Sequence, residues 1–414
     1  MGGGGREHAL ADALSRTAQV VVTPGNAGIP GSTSTPPEEV EADLWVIGPE
    51  QPLADGLSDR LRSRGRRVFG PGADGARLES SKAWMKELLT GAGVPTARHG
   101  VFAAAEPALA FLDRLGGPYV VKTDGLAAGK GVLVTPDREE AADDVRSKLS
   151  GQGFGGAGRT IVIEEAMTGA EVSLLAVSDG SRLAVLPAAQ DHKRLGDGDT
   201  GPNTGGMGAY SPVPAVDDAL VEAVTATCIE PTLAALVRRG IDYRGVLYAG
   251  LMLTPSGPRV LEFNARFGDP EAQVVLPRLG GDLAAFLAAA ADGDLRKADA
   301  PVSGPDACVT VVMSAEGYPV SPRTGDRIIG MEEAEQLEGV KVYCAGVSTG
   351  PGGYLVTGGG RVLDVTALGS TVTEAARRAY DAAERISFRG AHYRRDIAGA
   401  AAGAAAGVAH GSAR

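Results

Sequence analysis

Residues 260–273 read Val-Leu-Glu-Phe-Asn-Ala-Arg-Phe-Gly-Asp-Pro-Glu-Ala-Gln. Residues 260–263 have the apolar and aromatic bias of a strand, and side chains two apart on a strand share a face. Glu262, Asn264 and Arg266 therefore point the same way, presenting a carboxylate, an amide oxygen and a guanidinium. The acid and the amide suit Mg²⁺ or Mn²⁺, oxygen-seeking ions that take one or two protein carboxylates and complete their shell elsewhere. Arg266 suits a phosphate or carboxylate held against that ion. Taken alone, Glu-x-Asn-x-Arg is better explained as a strand end with a surface ion pair. The sequence upstream reverses that preference.

Gly125-Leu-Ala-Ala-Gly-Lys-Gly joins two predicted strands within residues 116–135. It is not a P-loop: three residues separate Gly125 from Gly129, and Gly131 follows Lys130 where Ser or Thr is required. A glycine hairpin folding over phosphates fits better, with backbone N–H groups on phosphate oxygens and Lys130 adding charge. A glycine turn without a ligand is the plainer alternative. Lys122, on the preceding strand, has a fixed position for holding a phosphate. The strand from Thr160 runs into Glu164, Glu165, an alanine and Met167, a hinge whose backbone can read adenine. Glu171 follows a short turn later, placed for ribose hydroxyls. Lysine supplies only eight of the 40 basic residues. Four of the eight, Lys82, Lys122, Lys130 and Lys193, fall inside these motifs, where a compact point charge is useful.

These residues need a framework. The chain has 414 residues, enough for two or three domains. Residues 1–75 alternate strand and helix, which predicts a small parallel α/β unit. Ligands in such sheets sit beyond the carboxyl ends of the strands, so the glycine turns at 2–5 and 24–28 are candidate phosphate cradles. Residues 76–298 form the predicted central domain, with a lid subdomain at about 97–166. Helices are expected over 80–89, 137–149 and 219–239, and strands over 160–165, 171–177, 183–188 and 246–253. Residues 190–212 read as a long polar loop, which at that length is usually functional. A third unit, 299–397, is expected to hold no dense chemistry. Residues 398–414, rich in Ala and Gly, are expected to be a disordered tail.

Composition excludes several classes. There are 51 acidic residues against 40 basic, and the net charge is −11. With no dense basic run, neither nucleic acid nor an anionic membrane is expected as a partner. The expected partners are small molecules. No membrane-spanning apolar stretch and no signal-peptide core is read from the sequence. Three widely separated cysteines, Cys228, Cys308 and Cys344, fit a reducing compartment and service as small apolar residues. A cytoplasmic monomer is the expectation.

The series Lys82, Lys122, glycine hairpin, Glu164 to Met167, Glu171, Glu262-x-Asn264-x-Arg266 resembles the ATP-grasp superfamily, whose members clamp ATP between two α/β lobes. Five further stretches narrow the resemblance. They are Gly4-Gly-Arg-Glu-His-Ala-Leu, Pro24-Gly-Asn-Ala-Gly, Gln190-Asp-His-Lys-Arg, Thr200-Gly-Pro-Asn-Thr-Gly-Gly-Met-Gly-Ala-Tyr-Ser-Pro and Arg266-Phe-Gly-Asp-Pro-Glu-Ala-Gln. Together they resemble the phosphoribosylamine–glycine ligase family, from about residue 4 to 397. The resemblance implies an α/β and α+β fold with a Rossmann-like N-terminal lobe, an ATP-grasp core and a small C-terminal domain. It implies that ATP, glycine and 5-phosphoribosylamine give glycinamide ribonucleotide, ADP and phosphate through glycyl phosphate.

On that resemblance Glu262 and Asn264 would hold the metal, and Lys82 and Lys122 the α- and β-phosphates. Arg266, Lys193 and Asp269 would be catalytic. Gly4, Gly5, Pro24, Gly25 and Asn26 would cradle the sugar phosphate, and Asp191 and Asn203 would meet glycine or the ribosylamine. His8 and His192 read equally as proton carriers or structural histidines. Two departures stand out. The apolar strand usual before the glycine run is missing, and residues 29–42 are too short for the family's strand and helix. These predict a truncated first lobe. Three functions remain: an active ligase, an ATP-binding relative with poor activity, and a ligase of another small acid and amine.

Overall fold

The computed structural model describes residues 1–126, 131–151, 159–399 and 401. Gly129 and Lys130 of the glycine hairpin lie outside the described residues. Three antiparallel sheets organise the remainder. The first has Arg244–Thr254 in its interior, paired with Gly257–Asn264 on one side and Ala170–Asp179 on the other, with Leu183–Val185 at the edge. Residues 245–252 are buried without interruption, as a central strand covered on both faces requires. A register shift opposite Gly250 and Leu251 lies beside Glu262. Such bulges re-aim the side chains that follow.

The second sheet runs His99–Phe102, Ile161–Glu165, Tyr119–Thr123, Val132–Thr135. Helices Ala105–Leu115 and Arg138–Leu149 cover it, and Leu112, Val121, Val145 and Ile163 form its core. Asp137 caps the second helix by accepting from the N–H groups of Glu139 and Glu140. The helix expected over 80–89 is instead two, Ala73–Ser80 and Lys82–Ala92, broken at Ser81. Ser81 is extended, and its hydroxyl accepts from Trp84 N, so Lys82 opens the second helix.

The third sheet corrects the predicted domain plan. Its order is Val340–Cys344, Arg361–Gly369, Ala307–Ser314, Gly208–Ser211, Gln190–Asp191. Two of its five strands come from the stretch read as a long loop, which pairs because alternate residues such as Ala209 find a buried face. The remainder of that stretch makes a hairpin, Arg194–Gly196 against Thr200–Asn203. The unit beginning near residue 299 thus shares a sheet with the central domain. Nor does a tail begin at 398: Ala398 and Ala401 are buried in the main apolar cluster.

The N-terminal lobe is a run of short parallel pairings. Val22 pairs with Ser32, Gly2 with Pro24, and Trp45–Val46 with Val68–Phe69. Gly48 N donates to Met1 O and closes the series. Helices Gly5–Leu14, Glu50–Ala54 and Leu57–Ser63 complete the lobe. As the sequence reading expected, residues 29–42 hold no strand and no helix, and the lobe closes with Ile29 buried.

The helical run Asp218–Arg238 is long and apolar enough to cross a membrane, contrary to the sequence reading. Its Val224, Cys228, Ile229, Leu233 and Leu236 pack into the main core. All three cysteines are buried and unpaired.

Candidate active site

The alternation of burial predicted for residues 262–267 is observed, although the strand itself ends at Asn264 and Arg266 lies in the bend that follows. Phe263, Ala265 and Phe267 are buried in the cores, whereas Glu262, Asn264 and Arg266 share the partly open face. Glu262 sits among four cations. Burial pushes its carboxyl up, but Lys193, Lys122, Lys82 and Arg266 together hold it below the usual range. The four come from four places: Lys82 from a helix start, Lys122 from the second sheet, Lys193 from beside the third, Arg266 from the strand end.

Each cation is steered by a partner. Lys82 Nζ donates to Gly125 O at 3.0 Å, so the first glycine of the hairpin is tied to the site. Lys122 Nζ donates to Glu164 Oε2 at 3.1 Å. Lys193 Nζ lies 2.8 Å from Glu171 Oε2 and 3.2 Å from Asp191 Oδ1. Burial opposes the charge on Lys193, yet Asp191 and Glu171 raise its ammonium well above the ordinary lysine value. Arg266 Nη2 donates to Glu79 Oε1 at 2.7 Å, and Nε lies 3.4 Å from Glu50 Oε2. That buried Nε makes no hydrogen bond, which leaves a donor for a ligand.

The nucleotide candidates separate by role. Glu164 turns its side chain to Lys122 and to Lys86, at 3.1 and 3.2 Å, and away from any base. Glu165 is bound by Arg98, whose Nε donates at 2.7 Å. Ala166 N donates to Pro118 O, and Met167 follows at the partly open hinge before the Ala170–Asp179 strand. Glu171 pairs with Lys193, so its ribose role competes with that ion pair. Gly131 is buried, and its carbonyl accepts from Thr123 N at 2.9 Å.

The small-substrate candidates lie in several places, with Asp191 beside Lys193 and the glycine turns against the C-terminal unit. Gly25 N donates to Gly2 O, and Gly2 N donates to Thr23 O, which packs the two glycine turns together. Gly25 has φ +63°, and a Cβ there would lie 2.1 Å from Ser32 Oγ. Pro24, Gly25 and Asn26 line a cavity of about 480 Å³ with Ser32, Thr33, Ser34, Ser348 and Thr349, a neutral hydroxyl-rich lining. Asn26 is committed elsewhere. Its Nδ2 contacts Gly3 O, Cys344 O and Ala345 O at 2.9 Å, and its Oδ1 accepts from Gly28 N at 2.8 Å. It staples the glycine turns to the C-terminal unit. Asn203 ends its hairpin strand opposite Arg194. Gly4 N donates to Glu7 Oε2 at 2.7 Å.

Asp269 lies at the centre of a group that sequence reasoning missed. Arg361 Nη2 donates to Asp269 Oδ2 at 2.6 Å. Gln273 Nε2 donates to both Asp269 Oδ1, at 2.8 Å, and Asp364 Oδ2, at 2.9 Å. Arg361 and Asp364 belong to the unit expected to hold no dense chemistry, which corrects that expectation. A Cβ on Gly5 would lie 1.7 Å from Asp364 Oδ2, so glycine is required for this approach. Burial and Asp269 push the Asp364 carboxyl up to about 7. Asp269 is itself raised by burial but held below the usual range by Arg361 and Arg6.

Nothing local marked Arg361 or Asp364, because their partners are about 90 residues away in sequence. Lys86 did carry a signal: it is four residues beyond Lys82, hence on the same helix face. The histidines are structural. His8 Nδ1 accepts from Cys344 N at 2.8 Å, and burial pushes its imidazole down to about 4. His192 accepts from Ala398 N at 3.3 Å and is lowered by burial and by Arg394.

Three family models, all described as phosphoribosylglycinamide synthetase, match consecutive stretches. The N domain matches residues 1–79, the ATP-grasp (A) domain 80–272 and the C domain 308–400. A phosphoribosylamine–glycine ligase from Caulobacter vibrioides is 48% identical over 413 residues, covering 96% of each chain. One from Synechocystis is 47% identical over 416 residues, covering 96% of this chain and 98% of its own. The chain belongs to the phosphoribosylglycinamide synthetase family. It is therefore an ATP-dependent ligase of purine biosynthesis.

The crystal structure of the Thermotoga maritima synthetase superposes with a TM-score of 0.85 at 37% identity, covering 96% of this chain and 98% of that one. Biotin carboxylase from Campylobacter jejuni, at 15% identity and a TM-score of 0.66, shares the fold alone. The match of the synthetase N domain to residues 1–79 overturns the expectation of a truncated first lobe. The short parallel pairings described above are that lobe.

Proposed function

We propose that this synthetase joins glycine to 5-phosphoribosylamine at the expense of ATP, giving glycinamide ribonucleotide, ADP and phosphate. The observation that carries the reading is the Glu262 carboxylate beside Asn264, ringed by Lys82, Lys122, Lys193 and Arg266. A buried acid among four cations suits a site built for several phosphate charges together with a metal.

The residues fit a divalent ion. Among the described residues no group of three or more His, Cys, Asp or Glu is poised for metal. Glu262 and Asn264 supply one carboxylate and one amide oxygen. That suits Mg²⁺, and Mn²⁺ as a substitute, with phosphates and water completing the shell. When bound, the ion would neutralise charge on the transferring phosphoryl group.

The protein groups do the rest. Lys82 and Lys122 hold phosphate oxygens. The hinge backbone at 165–167 meets adenine, and Glu171 meets ribose. Arg266 faces the acyl phosphate and steadies its oxyanion as the amine attacks. Asp191 and Lys193 orient glycine. Asp269, kept ionised by Arg361, accepts the proton that the amine loses. Gly4, Gly5, Pro24, Gly25 and Asn203 border the sugar phosphate. The third unit, which shares a sheet with the central domain, contributes Arg361 to the amine side.

The test is ADP release with Mg²⁺, glycine and 5-phosphoribosylamine. Turnover should require both co-substrates. Glu262→Ala should reduce it by at least about a hundredfold, since outer-shell partners of a metal alone contribute ten- to a hundredfold. Full activity in that variant would refute the metal site, and turnover with a different acid would refute the substrate assignment.

A further inference from the structure

Lys86 is completely buried, with 0% of its side chain exposed. A lysine is almost never fully buried without a charge partner. Its partner is Glu164, whose Oε1 lies 3.2 Å from Lys86 Nζ. The other oxygen of Glu164 is taken by Lys122 at 3.1 Å. Lys86 Nζ also donates to Thr96 Oγ1 at 2.6 Å, and that hydroxyl donates to Val260 O at 2.6 Å. A helix of the central domain, the second sheet and the metal-bearing strand are thus linked through the Lys86 ammonium.

We infer that Lys86 is a positioning residue that frees Lys122 for the nucleotide by neutralising Glu164. The inference rests on the reading of Lys122 as a phosphate holder. Glu164 and Lys122 by themselves make a closed, neutral pair. Such a pair offers little to a phosphate, because its cation is already engaged in a dry site where that attraction is strong. Adding Lys86 leaves the trio with one net positive charge. Lys86 cannot reach solvent or a ligand, so the surplus is expressed at Lys122, whose side chain is 10% exposed.

The protonation states agree. Burial pushes the Lys86 ammonium down to about 8 while Glu164 pulls it back up. Burial raises Glu164, but Lys122 and Lys86 hold it below the usual range. Lys86 and Glu164 are therefore both charged near neutrality.

The test is the affinity for a non-hydrolysable ATP analogue with Mg²⁺, measured by titration calorimetry on the full chain. Lys122→Met comes first: unchanged affinity would refute the phosphate role of Lys122 and leave Lys86 nothing to free. With that role upheld, Lys86→Met should weaken binding by about tenfold, the scale of coupling between contacting charges. In a Glu164→Gln background the same Lys86→Met change should alter affinity by less than about threefold, because no charge remains to be neutralised. A purely structural lysine would weaken binding equally in both backgrounds, and that result would overturn the inference. So would wild-type affinity in Lys86→Met. If Lys86→Met does not fold, Lys86→Gln, which keeps a donor for Thr96, takes its place in both backgrounds.

Discussion

At Asp364 and Asp269, two buried carboxylates share one amide, Gln273 Nε2. Like charges so close resist joint ionisation, and Asp364 is the one that gives way, titrating at about 7. The charged groups acting on it are Asp269, Arg361 and Glu7. An acid whose folded pKa lies above its unfolded value stabilises the fold at low pH, and that contribution is lost as pH rises through about 7. Wild-type protein should therefore lose unfolding free energy between pH 6 and pH 8. Asp364→Asn, which keeps an oxygen for Gln273, should lose less over that interval. The difference is on the order of 1.4 kcal/mol for each pKa unit titrated, and urea unfolding at the two pH values measures it. Equal pH dependence in both proteins would reject the assignment. This pair also marks a limit of sequence reading. Glu262, Asn264 and Arg266 were legible because a two-residue period is local. Asp364 was not, because what makes it reactive is a partner on another element.

Among the elements, the hairpin of residues 194–203 was misread as loop. Its polarity is real, but it is clamped from the far end of the chain. Arg394, 1% exposed, donates to Asp199 Oδ1 at 2.7 Å, to Arg194 O at 3.2 Å and through two nitrogens to Asp396. His392 contacts Leu195 O, and Arg395 N donates to Asp197. The Arg394 guanidinium holds Asp396 down at about 2. Arg394→Met should cost on the order of 1 kcal/mol of unfolding free energy, because the hydrogen bonds of a buried guanidinium are lost while its partly exposed partners Asp199 and Asp396 regain water. It should also raise the KM for glycine or the ribosylamine more than that for ATP, since Asn203 lies on the freed hairpin. Unchanged stability and KM values would show the clamp to be idle. Long apolar elements, such as the Arg244–Thr254 strand and the 218–238 helix, were legible from their patterns. The clamp was not, because an arginine far down the chain gives no local sign of what it grips.

Across the whole molecule, the third sheet joins the C-terminal unit to the central domain, and Asn26 staples the N-terminal lobe to the C-terminal unit. Recognisable motifs gave the general fold from sequence. The sharing of a sheet between units did not follow, because strand pairing at long range leaves no periodic trace. Sharing implies that the units unfold together. The three cysteines lie in three different apolar clusters, Cys228 with the central helices, Cys308 and Cys344 under the third sheet. Burial raises all three thiols, Cys344 to about 12. An aromatic disulfide reagent should therefore find no thiolate in the native protein. All three sulfurs should become labelled at one common rate that tracks global opening. Stepwise labelling, with Cys228 separated from the other two, would show that the lobes open independently. With a single rate, the native thiols become three synchronous clocks, and oxidants that inactivate exposed cysteines elsewhere would leave this ligase untouched until it unfolds.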